Sequence, residues 1–328
     1  MADTAIEWAG KSWNPIVGCK VISPGCTNCY AMRLAPRLAA MGQAKYAGLT
    51  RGGRAGPVWN GRFALDAAAL DLPFRWQKPA TIFVNSMGDL FLEGVPAEAV
   101  DRVLAVAALT PRHDYVLLTK RADRMQAHFE AGLSDRGTPR RLMAIEDQMQ
   151  AFTTFGVETV PAWPLPNLWL GVSVENRAQL GRIDQLRRTP AAVRLISIEP
   201  LLEDLGPIDL AGIDWVIVGG ESGPNARPVH PDWVRSIRDQ CLAAGVAFFF
   251  KQWGGWRVIY DRDADDPDWR QSGEIARRNP RGRWLNLAGG HGFHGDRLVY
   301  VVPSGKHAAG RKLDGQVWDR RPARKVAA

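Results

Sequence analysis

The sequence predicts an α/β protein whose core is a parallel βα barrel, TIM-like but partial, of about six or seven strands. Three observations predict it. Short apolar runs alternate with amphipathic helical stretches from residue 80 to residue 250. The runs are continuously apolar rather than alternating, the pattern of strands buried on both faces. Each run ends in residues that hydrogen-bond or carry charge, as at the carboxyl ends of strands that build a site.

The elements follow in order. Residues 1–30 form an irregular, Trp-containing lead-in with a first strand near Cys19. Residues 30–41 read as a helix interrupted near Pro36, because proline removes an interior helical hydrogen bond. Residues 42–79 are rich in Gly, Arg and Pro and read as a long loop whose arginines suit a phosphate. Strands are expected at 81–86, 115–119, 168–173, 193–198, 215–218 and 246–250. Helices are expected at 96–109, 122–131, 176–187 and 231–244, the last with Pro231 at its start and Gly245 past its end. Residues 132–166 read as an insertion of low regularity. The expected organisation is a barrel domain over 1–255 and a C-terminal extension over 256–328 that loses the alternation and forms an irregular tail.

Three of the four cysteines fall on one stretch, Cys19-x6-Cys26-x2-Cys29. Three thiols are one short of a closed structural zinc site. In a four-iron cluster they leave one iron open to a small molecule. Zinc completed by a distant His or by Cys241, or redox thiols, are the alternatives from spacing alone. Pro24-Gly25 predicts a sharp turn in which Gly25 can take positive φ. The helix after Cys29 offers free N–H groups to anionic sulfur. Cys241 shares a helical face with Val234 and Ile237 and reads as a buried apolar residue. His291 and His294 could bind metal, but a turn-rich loop accounts for them.

The strand ends supply Asn85, Ser86 and Asp89; Thr119, Lys120 and Arg121; Ser173, Glu175 and Asn176; Ser197 and Glu199; Gly219, Gly220 and Glu221; and Lys251, Gln252 and Trp253. One such residue is explained as a helix cap; six sets in register describe a polar, ligand-binding mouth. Carboxylates such as Asp89, Glu199 or Glu221 suit an ammonium, and Lys120 or Arg121 a carboxylate. Ser173, Glu175 and Asn176 suit ribose hydroxyls, and Gly219-Gly220 a close backbone approach. There is no Walker loop and no Gly-x-Gly-x-x-Gly after the first strand, which argues against ATP or NAD sites of those types.

Lys and Arg number 42 against 34 Asp and Glu, a net charge of +8 that is compatible with a polyanionic partner. No run of eighteen apolar residues and no basic, apolar leader is present, so a cytoplasmic protein with no membrane partner is expected.

Three cysteines facing a polar strand-end mouth resemble the radical S-adenosylmethionine (radical SAM) superfamily, whose usual spacing is C-x3-C-x2-C. A closer similarity runs through Ile6-Glu7-Trp8, Trp13-Asn14-Pro15-Ile16-Val17-Gly18-Cys19, Ser23-Pro24-Gly25-Cys26-Thr27-Asn28-Cys29-Tyr30-Ala31, Gly219-Gly220-Glu221-Ser222-Gly223, Phe250-Lys251-Gln252-Trp253-Gly254 and Gly310-Arg311-Lys312-Leu313-Asp314-Gly315 with Trp318-Asp319. These segments resemble the phage-associated three-Cys-motif family, labelled gene product thirty-seven/sixty-eight and found in phages and prophages. The resemblance implies a radical SAM-type barrel with a [4Fe-4S] cluster on Cys19, Cys26 and Cys29 and S-adenosyl-L-methionine on the open iron. It also implies an electron donor and an aromatic role for Tyr30. It places Asp89 against the methionine amino group, with Glu175, Asn176, Glu199 and Glu221 as further contacts. The expected activity is that of a radical SAM-type iron–sulfur enzyme whose substrate is a nucleic acid or nucleotide. The alternative is a non-enzymatic zinc- or iron–sulfur-binding protein that binds nucleic acid.

Overall fold

The computed structural model describes residues 4–130, 132, 139–153 and 162–323. Its central sheet is parallel and has seven strands: β1 (Lys11–Trp13), β2 (Thr81–Val84), β3 (Asp114–Thr119), β4 (Leu168–Ser173), β5 (Val193–Ile198), β6 (Trp215–Gly219) and β7 (Ala247–Gln252). Their order across the sheet is their order along the chain. A doubly wound sheet reverses that order at a switch point; this sheet does not, as in a partial βα barrel. Register runs from Trp13 to Val84, Leu117 and Leu170 across the first four strands.

The longer helices are α1 (Tyr30–Ala40), α2 (Ala97–Leu109), α3 (Ala122–Phe129), α4 (Arg140–Gln150), α5 (Gly181–Arg188) and α6 (Pro231–Ala243). All six lie between successive sheet strands, as the alternation predicts, with α3 and α4 sharing the connection from β3 to β4 and none in the connection from β5 to β6. The chain divides into two compact units. One comprises Met1–Ser173, Gly181–Leu195 and Ala323–Ala328; the other comprises Val174–Leu180 and Ile196–Pro322.

Four expectations need correction. Helix α1 is continuous through Pro36. Its buried Ala31, Met32 and Ala35 pack in a cluster with Val17, Tyr46, Leu49 and Trp59, and that burial outweighs one missing helical hydrogen bond. The 42–79 stretch is not a bare loop. It holds a hairpin, Thr50–Gly53 with Gly56–Trp59, a two-residue strand Ala64–Leu65 paired with Ile16–Val17, and two short helices, Ala67–Leu70 and Leu72–Arg75.

The 132–166 insertion carries helix α4, which packs on α2 and buries Ile145 and Met149. The helical spacing of Leu142, Ile145 and Met149 is the signal for it in the sequence. Residues 133–138 and 154–161 of that insertion lie outside the described residues.

The C-terminal extension is ordered as well. Strands β8 (Trp256–Asp261), β9 (Arg283–Leu285) and β10 (Val299–Pro303) form an antiparallel sheet in the order β8-β10-β9, over a small core of Trp256, Leu285, Val299 and Val301. A hairpin follows, β11 (Lys312–Leu313) and β12 (Gln316–Val317). Its turn, Asp314-Gly315, has both φ positive, at 51° and 78°. That is the backbone an Asp-Gly hairpin turn needs. Beyond it the chain runs antiparallel along β7: the Phe250 N–H donates to the Trp318 carbonyl at 2.8 Å and the Arg320 N–H to the Phe248 carbonyl at 3.2 Å. The tail thus covers an edge that would otherwise expose unpaired backbone.

His230 caps α6 in one protonation state. Its Nδ1 accepts the Asp232 N–H at 3.2 Å, and its Nε2 donates to the Arg297 carbonyl at 2.6 Å. A proton on Nδ1 would remove the cap. Burial lowers the pKa of His230, and likewise that of the fully buried His113. A histidine with a depressed folded pKa binds protons more readily when unfolded. Its contribution to stability is therefore complete above the ordinary histidine range and is lost as pH falls through it. The urea midpoint is expected to drop between about pH 7.5 and pH 5.5. His230→Asn, which keeps an acceptor at the cap, should flatten that dependence; an unchanged profile would show that the cap does not titrate.

Candidate functional site

The cysteine loop is set by two glycines rather than by Gly25. Gly25 lies in a 3-10 turn, Pro24–Cys26, and is absent from the positive-φ residues. Gly18, just before Cys19, takes φ of 101°, and a Cβ there would strike the Arg62 carbonyl. It bridges Gly88, where a Cβ would lie 2.9 Å from the Ile16 carbonyl oxygen. The segments after β1 and β2 therefore touch backbone to backbone, which a side chain at either position would prevent.

Cys26 sits on the 3-10 turn, its Sγ 3.7 Å from the Ser23 hydroxyl. Cys29 is the cap residue of α1, and the N–H groups of Ala31 and Met32 favour its thiolate. Burial outweighs them and raises the Cys29 pKa. Burial, with the Asp89 carboxylate behind it, pushes Cys19 up to about 12 against the opposing Arg121 guanidinium. Cys26 acts electrostatically on both. Among the described residues no three His, Cys, Asp or Glu converge as ligands of one ion. A cluster binds each thiolate to a different iron, so its ligands need not share one ion. Three neighbouring thiols, Cys26 buried and Cys19 and Cys29 half-buried, with a guanidinium and a helix start beside them, are a donor set that fits an anionic thiolate-held cluster: metal charge supplies what desolvation withholds from the thiolates.

Asp89 and Arg121 form a buried ion pair that locks this loop. Arg121 Nη1 is 2.9 Å from Asp89 Oδ2 and 3.8 Å from Cys19 Sγ. Its Nη2 donates to the Lys20 carbonyl at 3.2 Å, and its Nε to Glu93 at 3.2 Å. The other Asp89 oxygen accepts from the Thr119 hydroxyl at 2.8 Å and the Phe91 N–H at 3.0 Å. Asp89 therefore stands at the expected strand end, with both oxygens engaged by the protein.

At the neighbouring strand ends Ser12 and Ser86 hydroxyls meet at 2.6 Å, Asn14 joins them, and the Tyr30 hydroxyl donates to the Ser86 carbonyl at 2.8 Å. Asn85 is 3% exposed, has φ of 64°, and neither polar atom of its side chain has a hydrogen-bond partner.

The second unit holds the other strand-end residues. The Lys251 ammonium binds both Glu199 oxygens, at 2.7 and 2.9 Å, across β6. Gly219 makes room for the pair: a Cβ there would lie 3.2 Å from the Glu199 carboxyl carbon. At Gly220 a Cβ would strike the Trp253 carbonyl, and at Gly254 the Glu221 carbonyl. These glycines admit the chain's own backbone and carboxylate. Glu221 is gripped by Arg227, Nη2 to Oε1 at 2.6 Å and Nε to Oε2 at 2.9 Å. Glu175 is fully buried, and its carbonyl accepts the Leu202 N–H. Ser173, in the first unit, is half-buried, with its carbonyl bound by Arg182. Asn176 has a buried Oδ1 without a partner. Next to it Arg177 lines a cleft of about 420 Å³ with Glu203, Asp204, Asn286 and Asp296, which sequence reasoning missed because the tail supplies half of its wall. Cys241 is fully buried in α6, and burial alone pushes its pKa up to about 12.

Fold and site together describe a parallel βα protein with a three-cysteine loop after its first strand. A family model described as a protein of unknown function (DUF5131) matches residues 3–322, and the chain belongs to that family. No curated protein and no solved structure matches it. Among the described residues no helix is long and apolar enough to cross a membrane.

Removing one partner of a buried ion pair strands the other charge. Asp89→Ala should therefore cost roughly 3–5 kcal/mol in urea unfolding. A loss below about 1 kcal/mol would place the pair with solvent-compensated surface bridges.

Proposed function

We propose that the protein is a radical SAM-type iron–sulfur enzyme, with Cys19, Cys26 and Cys29 holding a [4Fe-4S] cluster. The observation that carries this reading is the placement of three neighbouring thiols, one buried and two half-buried, on the loop that follows the first strand of a sequentially ordered parallel sheet. When bound and reduced by an electron donor, the cluster would supply one electron to S-adenosyl-L-methionine, whose sulfonium C–S bond would break to give methionine and a 5′-deoxyadenosyl radical that takes hydrogen from a substrate.

The chain's own residues prepare the loop. Arg121 sets a positive charge beside Cys19, and the first turn of α1 faces Cys29. Asp89 fixes Arg121, so its role is to position the loop rather than to offer a free carboxylate. Tyr30 ties the helix start to the end of β2. Asn85, at the end of β2 with both side-chain polar atoms buried and unpartnered, is a group still able to take a ligand. The net charge of +8 and the exposed Arg51 and Arg54 of the hairpin support a nucleic acid or nucleotide substrate.

Anaerobic purification with iron and sulfide analysis tests the proposal. About four irons per chain, lost in the Cys19→Ala/Cys26→Ala/Cys29→Ala variant, is the expected result. S-adenosyl-L-methionine and dithionite should then release 5′-deoxyadenosine. A colourless protein holding one zinc after cluster reconstitution would overturn it, in favour of a zinc protein. Affinity for single-stranded or duplex DNA that falls with salt would support the substrate class; affinity no better than that of a neutral control would remove it.

A further inference from the structure

Arg311, the residue before the hairpin β11–β12, has two donors that no described residue answers. The Arg311 guanidinium lies over the Phe249 ring, 5.1 Å from its centroid. Its Nε and Nη2 are buried, and neither has a hydrogen-bond partner. An arginine stays charged, so those two donors cannot be silenced by losing a proton. Buried donors without acceptors are costly, and an oxyanion is the group that compensates them best.

The unpartnered edge has a defined chemistry. Nε and Nη2 are the parallel donors with which Arg227 grips the two oxygens of Glu221. Arg235 turns the same edge on Asp314. In Arg311 that edge has no partner among the described residues.

The support is rigid. Asp314, in the turn of the same hairpin, accepts from Arg235 at 2.7 and 3.0 Å and also pairs with Arg238 on α6. The Trp253 N–H donates to the Gly310 carbonyl at 3.1 Å and its indole N–H to the Lys312 carbonyl at 2.8 Å. Phe249 and Lys251 alternate onto one face of β7. On that face Lys251 is neutralised by Glu199 and Arg311 is not.

We infer that Arg311, seated on Phe249, anchors a subsite for a ligand bearing a two-oxygen anionic group, a carboxylate or a phosphate. The hairpin lies at the surface, with Lys312, Asp314 and Gly315 exposed. The inference is independent of any bound cluster.

The test is titration of the full-length, nitrogen-15-labelled chain with inorganic phosphate, and separately with acetate, against chloride at matched ionic strength. The arginine Nε–H resonances are followed. One resonance, assigned by its disappearance in Arg311→Lys, should shift saturably with an oxyanion and not with chloride. Saturation by phosphate alone marks a phosphate-bearing ligand; by acetate alone, a carboxylate; by both, a subsite for either. Arg311→Lys keeps the charge but lacks the fork, and should weaken binding by roughly tenfold or more while leaving the other resonances in place. If that variant fails to fold, Arg311→Gln supplies the assignment instead. No saturable shift, an equal response to chloride, or undiminished binding in a folded Arg311→Lys variant would overturn the inference.

Discussion

The buried pair of Asp89 and Arg121 is the interaction on which the cysteine loop depends. Arg121 reaches four acceptors from three directions: Asp89 beyond β2, Glu93 further along that segment, and Cys19 and the Lys20 carbonyl on the cysteine loop. Asp89 in return collects donors from Thr119 and from the backbone of Phe91. Neither residue is tolerable alone at this depth, because an isolated buried charge is far more costly than a hydrogen-bonded pair. Three segments that are distant in sequence are held together by a single requirement for charge compensation.

Glycine does the complementary work. Gly18 against Gly88, Gly220 against Trp253 and Gly254 against Glu221 are places where one backbone lies directly on another. Gly219 clears the path by which Glu199 and Lys251 meet across β6. A strand-end region packed in this way presents few loose side chains. Groups left with unmet hydrogen-bonding capacity, among them Asn85, Asn176 through its Oδ1, Gln252 through its Oε1, and Arg311, stand out for that reason. They are the positions at which the protein's own interactions stop and a ligand's can begin.

Part of this arrangement is legible in the amino-acid order alone. The sheet strands are continuous apolar runs, and six of the seven can be placed to within a residue or two because burial on both faces leaves no other pattern. Helix α6, with proline at its start and glycine beyond its end, is equally plain. Asp89, Thr119, Arg121, Glu199 and Lys251 are recognisable as strand-end polar groups. Sequence alone cannot show that they are spoken for by one another, since a pair such as Glu199 and Lys251 is 52 residues apart. Helix α4 and the tail sheet escape a reading of the sequence for a different reason. Their apolar positions are there, as at Leu142, Ile145 and Met149 and at Val299 and Val301, but they sit in short elements among charged and turn-forming residues, and the packing partner decides them.

What the sequence by itself determined is the class of architecture and the presence of the three-cysteine loop. Those follow from local periodicity and spacing, which every copy of the chain carries whether folded or not. The tertiary structure alone decided which charged groups are consumed internally and which are left unanswered. Asp89 and Arg311 look alike in the sequence, each a charged residue beside glycine. Folding gives Asp89 a full set of donors and leaves two donors of Arg311 without an acceptor, because compensation depends on distances that only the packed chain defines.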